Sequence, residues 1–116
     1  MSHDGLVYFA LAVELGKVKI GTSRWPDIRI KEIQTCCPAL VEYVFFLNGG
    51  RPVERHVHHL FRHLRHRGEW FLYTDEIQSF MAAVDAVEAS GGDVTAFVLA
   101  MGKTKTVVTA TMESLS

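Results

Sequence analysis

Two short apolar runs near the N-terminus, joined by a turn that contains glycine, restrict the fold more than any other feature of the sequence. Residues 6–13 are rich in β-branched and aromatic side chains, Glu14 to Lys17 form the turn, and residues 18–20 return as a second run. This pattern predicts an antiparallel hairpin. Because successive side chains on a strand point to opposite faces, alternate residues of each run point towards the core, and the others lie on the opposite face of the sheet.

The alternation assigns the hairpin residues to two faces. The predicted core face comprises Val7, Phe9, Leu11, Val13, Val18 and Ile20, and the opposite face comprises Tyr8, Ala10, Ala12, Lys17 and Lys19. The opposite face carries a phenol and ammonium groups beside small alanines, so we expect it to leave room for a ligand. A functional site is therefore predicted on that side of the sheet.

The rest of the chain predicts helices that alternate with strands. Helices are expected over residues 27–36, 52–64 and 75–90, a third strand over residues 40–47, a short aromatic strand within residues 68–73, and a strand or short helix over residues 94–101. We predict an α/β fold of the α+β type, in which a small antiparallel three-stranded sheet is flanked by helices. Residues 1–90 are expected to form the domain, and residues 91–116 a C-terminal extension of it that serves as an oligomerisation segment or a tail.

The overall composition is that of an ordinary globular protein. Of the 116 residues, 48% are hydrophobic and 22% are charged, which suits one domain with a core of its own. The longest apolar run, Leu6 to Val13, is far shorter than the roughly 20 residues that cross a bilayer. No secretory signal is visible, and the adjacent Cys36 and Cys37 are expected to be reduced. We therefore expect a protein that stays in the cytoplasm of the cell that makes it, without a membrane partner.

Positive charge is concentrated in one stretch, although the net charge is only −1. Residues 1–67 carry ten Lys or Arg against six Asp or Glu, whereas residues 68–116 carry two against seven. Within residues 51–67 there are five arginines and five histidines but a single acid, Glu54. A local basic stripe suits binding to a phosphate backbone, and it equally suits a solvated helix face.

Seven short motifs follow one another along the chain: Leu6-Val7-Tyr8, Lys19-Ile20-Gly21, Arg29, Glu54, His58, Phe61 and Glu69-Trp70-Phe71. In their order and spacing they resemble the GIY-YIG nuclease superfamily, in particular its compact phage-type and mobile-element-type members, over roughly residues 5–80. Two positions depart from the superfamily pattern: Leu6 replaces the first-motif glycine, and Lys19 replaces the second-motif tyrosine, as is common in that subgroup. Glu69 is expected to brace Arg29 or another basic residue.

The resemblance implies a bacterial or phage-infected cell, and it implies a role for each matching position. Tyr8 would activate or position the attacking water, Lys19 would favour the phenolate of Tyr8 or bind a phosphate oxygen, and Arg29 would stabilise the charge of the transition state. Glu54 would bind a single Mg²⁺ or Mn²⁺ ion. His58 would assist at the edge of the pocket, by supporting the metal shell, contacting phosphate or assisting proton transfer.

Each of these residues also has a purely structural interpretation. A strand tyrosine commonly packs in a core, Lys19 could be a solvent-facing strand residue, and Arg29 could pair with Glu32 along the helix. The histidines offer no complete ligand set for zinc, because His59 and His63 lack a cysteine or a second spaced pair. Taken as an ordered set, the residues favour catalysis.

The predicted function is that of a metal-dependent endonuclease that nicks or cleaves DNA, duplex or branched. The residues expected to guide the DNA backbone are Arg51, Arg55, Arg62 and Arg65. So small a domain has little surface for reading long sequences, so strong specificity is expected to need a homodimer, formed through residues 94–112, or a fused partner. Two alternatives stay open: a non-catalytic nucleic-acid-binding module on the same fold, and a phage or mobile-element protein-interaction domain whose basic face docks an acidic protein.

Overall fold

The predicted hairpin lies at the centre of a larger sheet in the computed structural model, which describes residues 5–102. Strand β1 (Leu6–Ala12) pairs with strand β2 (Lys17–Ser23) in an antiparallel register. Gly16 ends the connecting turn with a φ of 62°, in the left-handed region that glycine adopts without strain. The hairpin and its glycine turn are therefore confirmed.

Five antiparallel strands, rather than the three predicted, form the sheet in this part of the chain. The further strands are β3 (Val41–Leu47), β4 (Arg65–Arg67) and β5 (Trp70–Leu72), and the spatial order is β3-β1-β2-β5-β4. The three-stranded prediction was wrong because the short aromatic strand, β5, joins the same sheet beside β2, and because the exposed Arg-His-Arg sequence of β4 shows no apolar alternation. Charged side chains are common on the edge of a sheet, where they discourage pairing with another chain. The α+β class is confirmed.

Four helices accompany the sheet between residues 5 and 102. They are α1 (Pro26–Thr35), α2 (Gly50–Leu60), α3 (Asp75–Ala89) and α4 (Val94–Ala100). Pro26 occupies the first turn of α1, where its missing N–H group costs no hydrogen bond. Helix α2 ends at Leu60 rather than at the predicted Leu64, since residues 62–64 tighten into a 3-10 turn that leads into β4. Among the described residues, no helix has the length and apolar character needed to cross a bilayer.

One face of the sheet packs against α2, α3 and α4 and forms the main core. Its fully or almost fully buried residues include Val7, Phe9, Val18, Ile20, Val53, Val57, Phe61, Phe71, Ile77, Phe80, Val84 and Val98. Phe80 stacks on Phe9 with ring centroids 6.1 Å apart and meets Phe61 edge-on at 5.3 Å, which are arrangements that aromatic pairs prefer. Val13 was wrongly predicted to join this core: it is 46% exposed, because β1 ends at Ala12 and the chain turns there.

The opposite face of the hairpin is covered by α1. Ala10 and Ala12 have no exposed surface, and they lie in a second buried cluster together with Ile33 of α1. The prediction that the small alanines leave room for a ligand was therefore wrong. Small side chains allow a helix to approach a sheet closely, and α1 fills the space that they leave.

Residues 94–100, for which the sequence allowed a strand or a helix, form α4. The Asp93 side chain caps this helix by accepting a hydrogen bond of 3.0 Å from the Ala96 N–H group. Val98 is fully buried, and the neighbouring apolar side chains of α4 pack against the main core. These side chains pack within the domain, and a dimer interface that includes α4 stays a prediction. Residues 103–112 of that interface lie outside the described residues.

Tyr43 of β3 forms a hydrogen bond between the sheet and the start of α1. Its hydroxyl group donates a hydrogen bond of 2.7 Å to the Pro26 carbonyl. Replacing Tyr43 with phenylalanine removes this partly buried bond, so we expect the free energy of unfolding to fall by about 1 kcal/mol and the thermal midpoint by about 4–8 °C. A thermal melt at pH 7 tests this, and an unchanged midpoint would contradict it.

Ionisation of Tyr43 is expected to lower the free energy of unfolding at alkaline pH. Burial raises the pKa of Tyr43 to about 12, above the value of 10.0 for a free phenol. The stabilisation by the protonated phenol is therefore complete below pH 10 and is lost as the pH rises towards 12. We expect the difference in midpoint between the wild type and the Tyr43→Phe variant to be smaller at pH 11 than at pH 7.

Candidate active site around the hairpin

The Tyr8 phenol lies against the neighbouring strand at a position where that strand has no side chain. Tyr8 is 1% exposed and stands opposite Gly21 in the register of β1 and β2. A Cβ atom added to Gly21 would lie 2.5 Å from Tyr8 Oη and 3.0 Å from Glu69 Oε1. Both distances are shorter than an ordinary contact, so glycine at the end of the Lys-Ile-Gly motif is what allows the phenol and the carboxylate to meet here.

Arg29 of α1 reaches the same phenol. Its Nε atom lies 3.4 Å from Tyr8 Oη in a long hydrogen bond, and its Nη1 atom donates to Glu32 Oε1 at 2.9 Å. Arg29 therefore contacts Tyr8, as a site residue would, and also pairs with Glu32 along its own helix. The bonds to Tyr8 and Glu32 raise the pKa of Arg29 above its ordinary value, so the guanidinium stays charged.

Burial and nearby charges determine the ionisation of the Tyr8 phenol. Burial raises the pKa of the Tyr8 phenol; Arg29 opposes the rise, and the charges of Glu69 and Glu54 add to it. Lys19 pairs with Glu69, with Nζ 3.2 Å from Oε1. Arg29 is thus the cation that opposes the rise, and an influence of Lys19 on the ionisation of Tyr8 stays a prediction. In the metal-free protein Tyr8 stays protonated at neutral pH.

Glu54 of α2 places a buried negative charge near the phenol. It is the only charged residue that is buried in the described part of the chain, with an exposure of 8%. Burial raises the pKa of Glu54, and Glu69 adds to the rise, whereas His58, Arg51 and Arg55 lower it. The net rise means that these basic neighbours do not fully compensate the charge, so a cation beside Glu54 would be favoured.

His58 is held in a defined orientation one helical turn beyond Glu54. Its Nε2 atom lies 2.7 Å from the Ile20 carbonyl oxygen, and its ring packs against Phe71 with centroids 5.0 Å apart. Because a carbonyl oxygen can only accept, Nε2 carries a proton, and Nδ1 faces the guanidinium of Arg65 at 3.4 Å. A histidine fixed in this way by a backbone carbonyl has the arrangement of a typical metal ligand.

Three side chains are close enough to hold one metal ion together. One ligand atom from each of Glu54, His58 and Glu69 lies within 4.8 Å of the other two. Ligands that bind an ion at about 2.0–2.6 Å are at most about 5 Å apart, so the group fits a single divalent ion. From the sequence, Glu54 was the only predicted metal ligand, with His58 in a supporting role. Glu69 was missed because the sequence did not predict the pairing of β5 with β2, in which Ile20 N donates to the Glu69 carbonyl at 3.0 Å.

Three of the four predicted phosphate-binding arginines surround this group. Arg51 and Arg55 lie on α2 close enough to lower the pKa of Glu54. Arg65, at the start of β4, lies with Nη2 3.4 Å from His58 Nδ1. The basic stripe therefore borders the candidate metal ligands on two elements of the fold.

Arg62, the fourth predicted arginine, and His63 have separate structural contacts. Arg62 turns back on the end of α2, where Nη1 donates to the His59 carbonyl at 2.7 Å. His63 pairs with Glu76 of α3, with Nε2 2.7 Å from Oε1. In residues 5–102 neither Arg62 nor His63 contacts the candidate ligands, and the spacing of the sequence alone could not separate them from Arg55 and His58.

The sequence matches one family model, described as the T5orf172 domain, over residues 5–89. The match runs from just before β1 to the last residue of α3 and includes every candidate residue described above. Among curated proteins and among solved structures, no significant match was found.

Proposed function

The chain belongs to the T5orf172 domain family, and on this basis we propose that it is a GIY-YIG-type endonuclease that hydrolyses phosphodiester bonds in DNA with one divalent ion. One observation carries the proposal: the buried Tyr8 phenol meets the Glu69 carboxylate at Gly21 and the Arg29 guanidinium from a different element, and Glu69 lies in one ligand group with the buried Glu54. A tyrosine on a strand or a glutamate on a helix is unremarkable alone. Their joint approach to one point, beside a metal-sized ligand group, is expected of a catalytic site.

Glu54, His58 and Glu69 would hold the ion. Two carboxylates and one imidazole suit Mn²⁺, and the carboxylates also suit Mg²⁺ with water in the remaining positions. When bound, the ion supplies positive charge that polarises the scissile phosphate and stabilises the leaving oxygen. The Ile20 carbonyl fixes the orientation of the His58 ring, and the ion would take the place of the Arg65 guanidinium beside Nδ1.

The other side chains would act on the phosphate and the attacking water. The Arg29 guanidinium, permanently charged, would neutralise the negative charge that develops on the phosphate. Lys19 would bind a second phosphate oxygen while its pair with Glu69 keeps it in place. The protonated Tyr8 hydroxyl would position the attacking water, or donate a hydrogen bond to a phosphate oxygen, because its raised pKa disfavours a phenolate.

A plasmid assay tests the proposed activity. Purified protein is incubated with supercoiled DNA and Mg²⁺ or Mn²⁺, and we expect nicking that EDTA abolishes. The Arg29→Ala and Tyr8→Phe variants should each lose about 100- to 1,000-fold in rate, the usual cost of one group that stabilises a transition state. His63→Ala, which breaks only the exposed pair with Glu76, serves as the control and should retain activity. Equal nicking by wild type and Arg29→Ala would reject the proposal, and metal-independent binding without cleavage would favour the non-catalytic module.

The arginines that border the site predict a salt effect on DNA binding. Replacing both Arg51 and Arg55 with alanine should weaken binding and reduce the slope of log K against log salt by about two, since each lost phosphate contact removes about 0.9. The Arg62→Ala variant should leave the slope unchanged, because Arg62 is turned back on its own helix. Fluorescence anisotropy at several salt concentrations measures both slopes, and equal slopes for all variants would contradict this placement.

A further inference from the structure

A cleft of about 320 Å³ opens beside the candidate site, between α1 and the strands β2 and β5. Its lining residues are Lys19, Arg29, Glu32, Ile33, Cys36 and Trp70. Two of them, Lys19 and Arg29, belong to the candidate active site, so the cleft and the site share one wall. The proposed mechanism does not use the remainder of the cleft.

The lining combines two cations with an aromatic and an apolar surface. Lys19 Nζ lies 5.7 Å from the centre of the Trp70 ring, so the ammonium and the indole are adjacent. Ile33 is buried, and Trp70 is half-buried against the cluster that includes Tyr8 and Ala10. The volume lies within the range of about 300–1,000 Å³ that is typical of small-ligand sites. Such a lining suits a flat, apolar ring that is attached to an anion.

We propose that this cleft binds the base of an unpaired nucleotide next to the scissile phosphate. The inference rests on the proposed function, because Lys19 and Arg29 must hold a phosphate for its nucleoside to reach Trp70. A phosphate at the two cations places the attached sugar at the mouth of the cleft. The base can then pack against Trp70 and Ile33, as bases do on aromatic side chains of single-strand-binding proteins.

The consequence is a preference for DNA in which bases are already unstacked. A base within an intact duplex must be unpaired and unstacked before it can enter a pocket, and this costs free energy. A nucleotide in a gap, a flap or a single strand does not bear that cost. The substrate class assigned by the cleft is therefore DNA with unpaired nucleotides at the cutting position.

Binding experiments with the Glu54→Gln protein test the inference without cleavage. Fluorescence anisotropy compares an intact duplex with the same duplex that carries a short central gap in one strand and unpaired nucleotides opposite it. We expect about tenfold tighter binding of the gapped DNA, in the range of one stacked base. Cys36→Trp should fill the cleft and abolish this preference, while Thr35→Trp, an exposed neighbour outside the lining, should preserve it.

A second measurement uses the exposed Cys36 thiol in a Cys37→Ala background. Gapped DNA should slow alkylation of Cys36 severalfold, and intact duplex at equal occupancy should not. Equal affinity for both DNAs together with unprotected Cys36 would overturn the inference, even if the wild type nicks plasmid. Gap preference and protection in a protein that never nicks would support the cleft and reject the proposed nuclease activity instead.

Discussion

Replacing Glu54 with glutamine is expected to abolish metal-dependent nicking and at the same time to make the metal-free protein more stable. The carboxylate is almost completely buried, and burial and the nearby Glu69 oppose its charge. The neutral amide has nearly the same shape and does not bear that cost. We expect the free energy of unfolding to rise by about 1 kcal/mol, or about 4–8 °C in the thermal midpoint. The nicking rate should fall at least about 1,000-fold, or about 4 kcal/mol in activation free energy.

The two effects are measured separately. Thermal melts in EDTA report the stability, and melts with increasing Mn²⁺ report metal binding, which should raise the midpoint of the wild type but not of Glu54→Gln. Glu42→Gln, an exposed glutamate on β3, is the control and should change neither the midpoint nor the rate. A Glu54→Gln protein that still gains stability from Mn²⁺ would show that the ion binds elsewhere.

Replacing Gly21 with alanine is expected to lower both the stability of the protein and the nicking rate of the candidate active site. The added methyl group would meet the Tyr8 hydroxyl and the Glu69 carboxylate, and Tyr8 cannot retreat because it is 1% exposed. Overpacking of this kind costs about 1–3 kcal/mol in the free energy of unfolding. A phenol displaced by about 1 Å should lower the nicking rate about 100-fold, beyond any loss of folded protein.

Gly16→Ala separates the loss of stability from the loss of function. Gly16 has a φ of 62°, and an added Cβ atom would have no neighbour within 4 Å. Alanine there costs about 1–2 kcal/mol through backbone strain alone, a loss comparable to that at Gly21. Chemical denaturation gives the stability of each variant, and nicking is measured where both are folded. If Gly16→Ala and Gly21→Ala lost activity equally, the packing of Tyr8 on Gly21 would not be the cause.

The sequence predicts the local elements of this fold better than their arrangement. The hairpin is encoded by alternating apolar side chains and a glycine turn. Residues that are close in the sequence are therefore sufficient to predict its two strands. The strand β4 is not encoded in this way, because Arg65, His66 and Arg67 are all exposed and its pairing depends on β5. The burial of Ala10 by α1 likewise depends on where a helix docks, which the period of a strand does not specify.

The same distinction applies to the candidate site. Tyr8 and Arg29 lie together as their motif order implies, and the link between Glu54 and Tyr8 is visible in the pKa of the phenol. The part of Glu69 in the ligand group could not be read from the sequence, since it requires the pairing of two strands that are 50 residues apart in the chain, as Lys19 opposite Trp70 illustrates. Salt-bridge partners of this kind are set by tertiary contacts.

The place of β5 beside β2 has a consequence for how the protein is made. A nascent chain that has emerged only as far as residue 64 already contains Tyr8, Arg29, Glu54 and His58, but it lacks the strand that brings the last carboxylate to Lys19. Until that strand docks, the Lys19–Glu69 ion pair cannot form and the ligand group has two members rather than three. The complete candidate site therefore forms only after β5 has joined the sheet.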